Sequence, residues 1–137
     1  MNCQQNLVEQ PSTITIGNLL IKSQYKQISL TITPEGSPNM THKEIVGVKD
    51  YFKITGKEIV PIINSLTGYE TVELKILSEH RIVLKELFKN NSDIKTLKIN
   101  TKFCKEVDMW WCLENCSNLE SLDLSNVYYK TLINNDA

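Results

Sequence analysis

The sequence predicts an α/β solenoid in which short parallel strands alternate with helices. The first observation is an internal repeat: residues 88–99 align without a gap with residues 113–124, and a period in the twenties indicates stacked units. The second is a series of strand-like segments that are separated along the chain by a similar number of residues. Such a step fits one strand and one helix per turn, whereas a unit of an open doubly wound sheet takes about 30 residues or more. The anchors of these segments are Leu30, Phe52, Leu74, Leu97 and Leu122.

The N-terminal segment, residues 1–26, predicts a β cap rather than a repeat. Segments 13–16 and 19–21 have the composition of short strands, and Gly17 and Asn18 between them suit a turn. A solenoid needs a folded or polar lid on its terminal repeat. We therefore predict a single domain over residues 1–137, with a cap over 1–26 and repeats over 27–137.

Five strands are predicted in the repeats, because apolar and variable residues alternate around each anchor. Strands that alternate with helices run parallel and are joined by crossovers. We therefore expect the strands to be parallel and to lie side by side in chain order. They are predicted at about residues 28–32, 51–54, 72–76, 95–99 and 120–124.

Four helices are predicted between the strands. Thr41 with Glu44, and Thr55 with Glu58, form capping boxes, in which the two side chains bond to backbone amides at a helix start. Apolar residues follow each box at helical spacing. A third helix is predicted from Ser78 to Phe88, and a fourth over residues 103–113.

Residues 116–126 contain the pattern Cys-Ser-x-Leu-x-Ser-Leu-x-Leu, and residues 88–99 repeat it with Asn91 in the cysteine position. This pattern resembles the repeat of leucine-rich repeat proteins of the surface-antigen (BspA-like) type, most clearly over residues 88–127. The resemblance implies a curved parallel sheet and a role in protein–protein recognition.

The open face of the predicted sheet is the candidate binding site. If the strands stack in chain order, the residue after each anchor places Lys53, Lys75 and Lys98 on adjacent strands. Such a column attracts an acidic protein, although solvated lysines also keep a strand face soluble. One tryptophan is added to the residues of this face, because tryptophan is enriched in binding hot spots. The predicted binding residues are Lys53, Lys75, Lys98, Glu73, Tyr51, Asp123 and Trp111.

The predicted function is a non-enzymatic protein-interaction module, such as an inhibitor or immunity protein, an adaptor or a host-targeting effector. The sequence has no G-x-S-x-G, glycine-rich phosphate loop or H-E-x-x-H motif, so we predict no catalytic residue and no cofactor. Cys112 and Cys116 lack a second ligand pair, so we predict no metal. The alternative is a small α/β enzyme with a pocket at the carboxyl ends of the strands.

Charge and composition bear on partner and location. A net charge of −1 favours neither nucleic acid nor an anionic membrane, and no apolar run approaches the ~20 residues of a membrane span. The segment Met1 to Gln5 lacks the features of a secretory signal, which favours the cytoplasm, with a secreted effector as the alternative. An uncapped last strand would also allow a homodimer through the C-terminal edge.

Overall fold

The structure, a computed structural model, describes residues 10–34, 40–56, 58–83, 87–89, 91–108, 113 and 116–126. They form a parallel-strand β-solenoid of about 3 turns with a small N-terminal antiparallel hairpin and very little helix. The solenoid is therefore confirmed, but the regular alternation of strand and helix is wrong. The elements are β1 (Ser12–Ile16), β2 (Leu19–Ser23), β3 (Gln27–Thr33), β4 (Met40–Val46), β5 (Lys49–Thr55), α1 (Ile59–Asn64), β6 (Thr71–Val83), β7 (Thr96–Asp108) and β8 (Ser121–Asn126).

The main sheet has six strands in the order β4-β5-β3-β6-β7-β8. All neighbours are parallel except β4 and β5, which form an antiparallel hairpin. The five predicted strands are thus present and parallel, but their predicted order is wrong at one point. Strand β3 lies between β5 and β6, so β5 and β6 are not neighbours.

Four segments stack as equivalent turns: residues 25–32, 69–76, 94–101 and 119–126. Two successive amides of each later segment donate to one carbonyl of the segment before, at 2.7–3.1 Å, and the three acceptors are the carbonyls of Lys26, Glu70 and Lys95. The last three segments begin at Tyr69, Ile94 and Leu119, so their period is constant. We call these four segments the stacked turns; the three intervals between them correspond to the about 3 turns of the solenoid.

The register corrects one of the predicted steps between anchors, the step from Leu74 to Leu97. Leu97 pairs with Val72, and Leu74 pairs with Ile99, so the position equivalent to Leu97 is Val72. In this frame Tyr69 takes the apolar position that Ile94 and Leu119 take in the later turns. The repeat is therefore better preserved upstream than an alignment on Leu74 indicates.

The insert, residues 34–68, separates the first two stacked turns. The helix predicted after Thr41 is wrong, because residues 40–46 form strand β4. Ile45, Val46 and Val48 are β-branched, which favours a strand, and Gly47 takes the positive φ of a hairpin turn. These preferences outweigh the capping box.

The third and fourth predicted helices are also wrong where the structure describes them. Strand β6 continues to Val83 and β7 to Asp108, and their parallel pairing resumes after register shifts. Residues 84–86 and 109–112 lie outside the described residues. Of the four, the helix after Thr55 is confirmed as α1, which begins after Glu58 without a side-chain cap. Interstrand pairing explains the difference, since it satisfies backbone groups that a helix would otherwise bond internally.

A single hydrophobic core joins the stacked turns, the insert and the N-terminal hairpin. The predicted N-terminal strands are confirmed as β1 and β2, and β1 buries Ile14 and Ile16 in this core. Backbone bonds of 2.8 and 3.0 Å between Thr13 and Thr67 fix β1 to the loop after α1. In the described part of the chain, no helix is long and apolar enough to cross a membrane.

Candidate binding face of the parallel sheet

The two faces of the sheet differ sharply in chemistry. One face supplies the core, with Leu30, Phe52 and Leu74 fully or almost fully buried. The alternate residues form a face on which nearly every side chain is polar. Parallel sheets are usually covered on both sides, so a polar side is informative. This polar face comprises Gln27, Ser29, Thr31, Lys49, Tyr51, Lys53, Thr71, Glu73, Lys75, Thr96, Lys98, Asn100, Ser121 and Asp123.

Glu73 is the centre of an ionic network on this face. Ser29 Oγ donates to Glu73 Oε1 at 2.8 Å, and the Nζ atoms of Lys49 and Lys98 lie 3.7 and 3.6 Å from its two oxygens. Burial raises the pKa of Glu73, but the Ser29 bond and the two lysines outweigh burial, so the pKa is lowered from 4.5. Glu73 is therefore an ionised carboxylate with its charge largely balanced.

The next row along the strands has a different charge. Lys53 and Lys75 pair in register with Thr31 from its two sides, and Asn100 follows Lys75. Tyr51 Oη lies 3.3 Å from Thr31 Oγ1. Lys53 is exposed, and Lys75 is half-buried. Within these four strands the row contains two lysines and no carboxylate.

The predicted column of three lysines on adjacent strands is wrong as geometry. Strand β3 separates Lys53 from Lys75, which places their strands about 10 Å apart, and Lys98 pairs with Glu73 rather than Lys75. Two causes account for this: the insert adds β5 beyond β3, and the β6–β7 register differs by two positions from the predicted one. Whether these lysines bind a partner stays a prediction.

The other predicted binding residues lie at different positions. Tyr51, Glu73 and Asp123 share one row of the polar face with Ser29 and Lys98. The side chain and backbone amide of Ser125 hydrogen-bond to Asp123 and hold its pKa below 3.8. Trp111 lies outside the described residues.

Charge alternation along the stacked turns is a feature that the sequence prediction missed. The second, third and fourth turns carry charged pairs at every third position: Glu70 with Glu73, Lys95 with Lys98, and Glu120 with Asp123. Lys95 Nζ lies 3.7 Å from Glu70 Oε1, and Lys98 Nζ lies 3.6 Å from Glu73 Oε2. The constant period of these turns, with Val72 as the anchor, is the signal that would have revealed it.

Polar side chains also connect the segment before the third stacked turn to the insert. Buried Asn91 donates through Nδ2 to the carbonyls of Ile63 and Leu66, both at 3.0 Å. Asp93 Oδ2 accepts from the Gly68 amide at 2.9 Å. Because each contact joins a side chain to the backbone of the insert, we assign these residues a structural role.

Asp50 and Tyr69 form a buried pair in the core. Tyr69 Oη donates to Asp50 Oδ2 at 2.7 Å, while Asp50 Oδ1 has no hydrogen-bond partner in the described part of the chain. Burial and the nearby Asp50 raise the pKa of Tyr69. The pair joins the insert to the second stacked turn.

A shallow open groove of about 280 Å³ lies beyond the carboxyl ends of β3 and β5. Its lining is largely apolar, with Glu58 and Arg81 as its charged members. Arg81 Nη2 lies 3.5 Å from Asp108 Oδ2. This is where the alternative enzyme hypothesis places a pocket, and the described residues that line it include no serine, cysteine or histidine that could act as a nucleophile.

Thiol and metal chemistry have little support in the described residues. Cys104 and Cys116 are buried, and burial raises the pKa of the Cys116 thiol to about 11. A thiol is a nucleophile only when ionised, so burial disfavours the reactive form of Cys116. No group of three or more histidine, cysteine or acidic residues that could hold a metal occurs among the described positions.

Comparison with known proteins found no matching family model, no matching curated protein and no matching solved structure.

Proposed function

We propose that this solenoid is a protein-binding scaffold whose polar face contacts an acidic surface of another protein. The observation that supports the proposal is the composition of that face: a parallel sheet whose side away from the core is polar across its strands. Covered parallel sheets carry apolar residues on both sides. A polar side is therefore adapted either to solvent alone or to a polar partner.

Rigidity favours a binding role for this face. Each strand is hydrogen-bonded to neighbours and backed by buried residues such as Ile28, Phe52 and Leu97. The side chains on the face are thus held at fixed spacing, and a preorganised surface loses less entropy when it binds. Tyr51, half-exposed beside Thr31, is the aromatic contact that such a surface would use.

The distribution of charge favours an acidic partner. Lys49 and Lys98 lie beside Glu73, and Lys53 and Lys75 pair with Thr31 from its two sides, so the face carries four lysines on β5, β6 and β7. An acidic surface over this row would face Lys53 and Lys75, which lie on the two strands beside β3. Complementary charge at such a position increases both encounter rate and specificity.

The resemblance to leucine-rich repeats is consistent with this proposal, since those proteins are expected to bind others through a strand face. An inhibitor or immunity protein, an adaptor and an effector would all use the surface in the same physical way. These three roles differ only in the partner protein that is bound.

The test is a comparison of two charge-reversal variants. Lys53→Glu with Lys75→Glu changes the polar face, and Lys22→Glu with Lys89→Glu makes the same charge change at exposed sites elsewhere. Proteins captured by immobilised wild type are quantified by mass spectrometry, and the affinity of each candidate is then measured with all three chains. We expect a loss of about tenfold or more for the face variant alone.

Circular dichroism and thermal unfolding establish that each variant is folded. Equal capture by the face variant and the control variant, with both folded, would contradict the proposal. The alternative enzyme has its own test, because its ligand would occupy the groove near Arg81. A small molecule that raises the Tm of wild type but not of Arg81→Ala would favour that hypothesis.

A further inference from the structure

The stacked turns form a ladder of alternating charge. Each turn from the second to the fourth carries two residues of like charge that are three positions apart. The sign of the charge reverses from turn to turn: acidic, basic, acidic. The register aligns the charges, because Glu73 pairs with Lys98, and Lys98 pairs with Asp123. Every basic residue of this pattern in the third turn therefore lies between two acidic ones.

The contacts across the ladder are short enough to matter. Lys95 and Lys98 approach Glu70 and Glu73 at 3.7 and 3.6 Å. On the other side, the charge of Lys98 contributes to the lowered pKa of Asp123. The ladder thus uses charge to match each turn with the next, in addition to its backbone bonds and apolar residues.

Strand β8 ends this ladder on the C-terminal side of the described sheet. Among the described residues, no pair of amides donates to the Glu120 carbonyl in the way that pairs donate to Lys26, Glu70 and Lys95. Leu122 is 39 % exposed, although Leu97, its equivalent in the preceding turn, is fully buried. Among the described residues, the outer side of β8 therefore offers backbone groups, an apolar position and two carboxylates in one repeating arrangement.

We propose that the outer edge of β8 binds an extended basic segment of a partner protein as a further rung. The segment would run parallel to β8 and carry lysine or arginine at positions i and i+3, beside Glu120 and Asp123. Strand addition to an open edge gives affinity through main-chain hydrogen bonds, and the pair of acidic residues determines which peptide sequences bind. This surface is distinct from the polar face.

A second copy of the chain fits this edge less well. Two β8 strands side by side would bring Glu120 and Asp123 of one copy near the same residues of the other. Like charges directly opposite each other destabilise strand pairing. A basic partner has the opposite effect, so self-association is an outcome of the test rather than the proposal.

The chain itself provides the probe. A peptide with the sequence of residues 94–101 carries Lys95 and Lys98, which already lie beside an acidic turn within the molecule. One control peptide replaces both lysines with glutamine, and a second has the acidic sequence of residues 69–76. Binding of each labelled peptide to the full-length chain is measured by fluorescence anisotropy at low and high salt.

We expect the basic peptide to bind about fivefold more tightly than its glutamine analogue, as two exposed ion pairs would give. High salt should reduce the difference. In the variant Glu120→Gln with Asp123→Asn the preference should disappear, whereas Glu44→Gln with Glu58→Gln, at exposed sites away from β8, should retain it. The reversal Glu120→Lys with Asp123→Lys should prefer the acidic peptide.

Hydrogen exchange locates the bound peptide. Binding should slow amide exchange in Ser121–Asn126 and leave Met40–Val46, at the opposite edge of the sheet, unchanged. The proposal is overturned by equal affinity for the three peptides, by no binding, by protection at β4 instead, or by dimerisation of the chain through β8 in sedimentation.

Discussion

The stacked turns and the insert follow different rules within one sheet. The later turns repeat at a constant period, and each bonds to the turn before through the same pair of amides. The insert contributes β4, β5 and α1, repeats nothing, and places β5 on the far side of β3. A strand can therefore have the sequence spacing of a repeat unit without being one of the stacked turns, as β5 does. Neighbouring turns are identified by equivalent hydrogen bonds and not by spacing.

The largest expected effect tests whether the two regions share one folding unit. Phe52 in the insert and Leu97 in the stacked turns are both fully buried in the same core. Replacing either residue with alanine should lower the free energy of unfolding by about 3–4 kcal/mol, because each leaves a cavity. Leu122→Ala, at the exposed end of the stack, should cost about 1 kcal/mol. Urea unfolding measures all three.

A single cooperative transition in each of these variants would confirm one unit. Two transitions in Phe52→Ala, with the second at the wild-type midpoint, would show instead that the insert unfolds separately from the stacked turns.

Asn91 is the joint between the two regions, since it donates to Ile63 in α1 and to Leu66 just after it. Asn91→Ala should cost about 2 kcal/mol of unfolding free energy, because two buried carbonyls lose their donor. Cys116 holds the same position in the next turn, and Cys116→Ala should cost about 1 kcal/mol. Urea unfolding compares the two variants, and equal losses would mean that the joint contributes packing alone.

Two glycines with positive φ allow the cost of a left-handed backbone to be measured separately from the cost of steric crowding. A Cβ at Gly47, in the hairpin turn of the insert, would meet nothing within 4 Å. At Gly68, before the second stacked turn, it would lie 3.1 Å from Ser12 Cα and 3.2 Å from the Pro11 carbonyl oxygen. Gly47→Ala should cost about 1 kcal/mol for the left-handed backbone, and Gly68→Ala about 2 kcal/mol or more once crowding is added. Thermal unfolding of both variants provides the comparison, and a Gly68 variant no worse than Gly47 would contradict the contact with β1.

The smallest expected effect concerns Glu73, which connects the first and third stacked turns. Its pKa in the folded chain is lowered from 4.5, so it stabilises the fold above that pH and loses this contribution as the pH falls through the folded-state pKa. Glu73→Gln should therefore cost less than about 1 kcal/mol near neutral pH, since the pairs are partly exposed, and nothing in strong acid. Ser29→Ala should reduce the same pH-dependent difference. Stability curves of variant and wild type that run parallel from neutral to acid pH would exclude this role.

The strands were predictable because alternation is local: residues 28–32, 72–76 and 120–124 show it directly. The hairpin turn at Gly17 and the helix before Leu66 also have local signals. The order of the strands was not predictable from spacing, because β5 falls midway between β3 and β6 by chance. The C-terminal parts of β6 and β7 were not predictable either. Ile82 and Val107 suit a helix or a strand equally, and only their spatial neighbours decide between the two.

The candidate site depended on those long-range features. The strands that carry Lys53, Lys75 and Lys98 were identified, but a wrong neighbour and a shift in register produced a row of lysines that does not exist. Glu73 belongs beside Lys98, and that pair reveals the alternating ladder. Sequence alone therefore located the residues of the face but not which of them are neighbours.

Backbone contacts measured by nuclear Overhauser effects in the isotope-labelled chain test directly whether β3 lies between β5 and β6. We expect contacts from β3 to both of its neighbours, at Thr31 with Lys53 and at Thr31 with Lys75. We also expect contacts between Glu73 and Lys98. Contacts between Lys53 and Lys75, without any between Thr31 and Lys75, would mean instead that the strands follow chain order and that β3 does not separate β5 from β6.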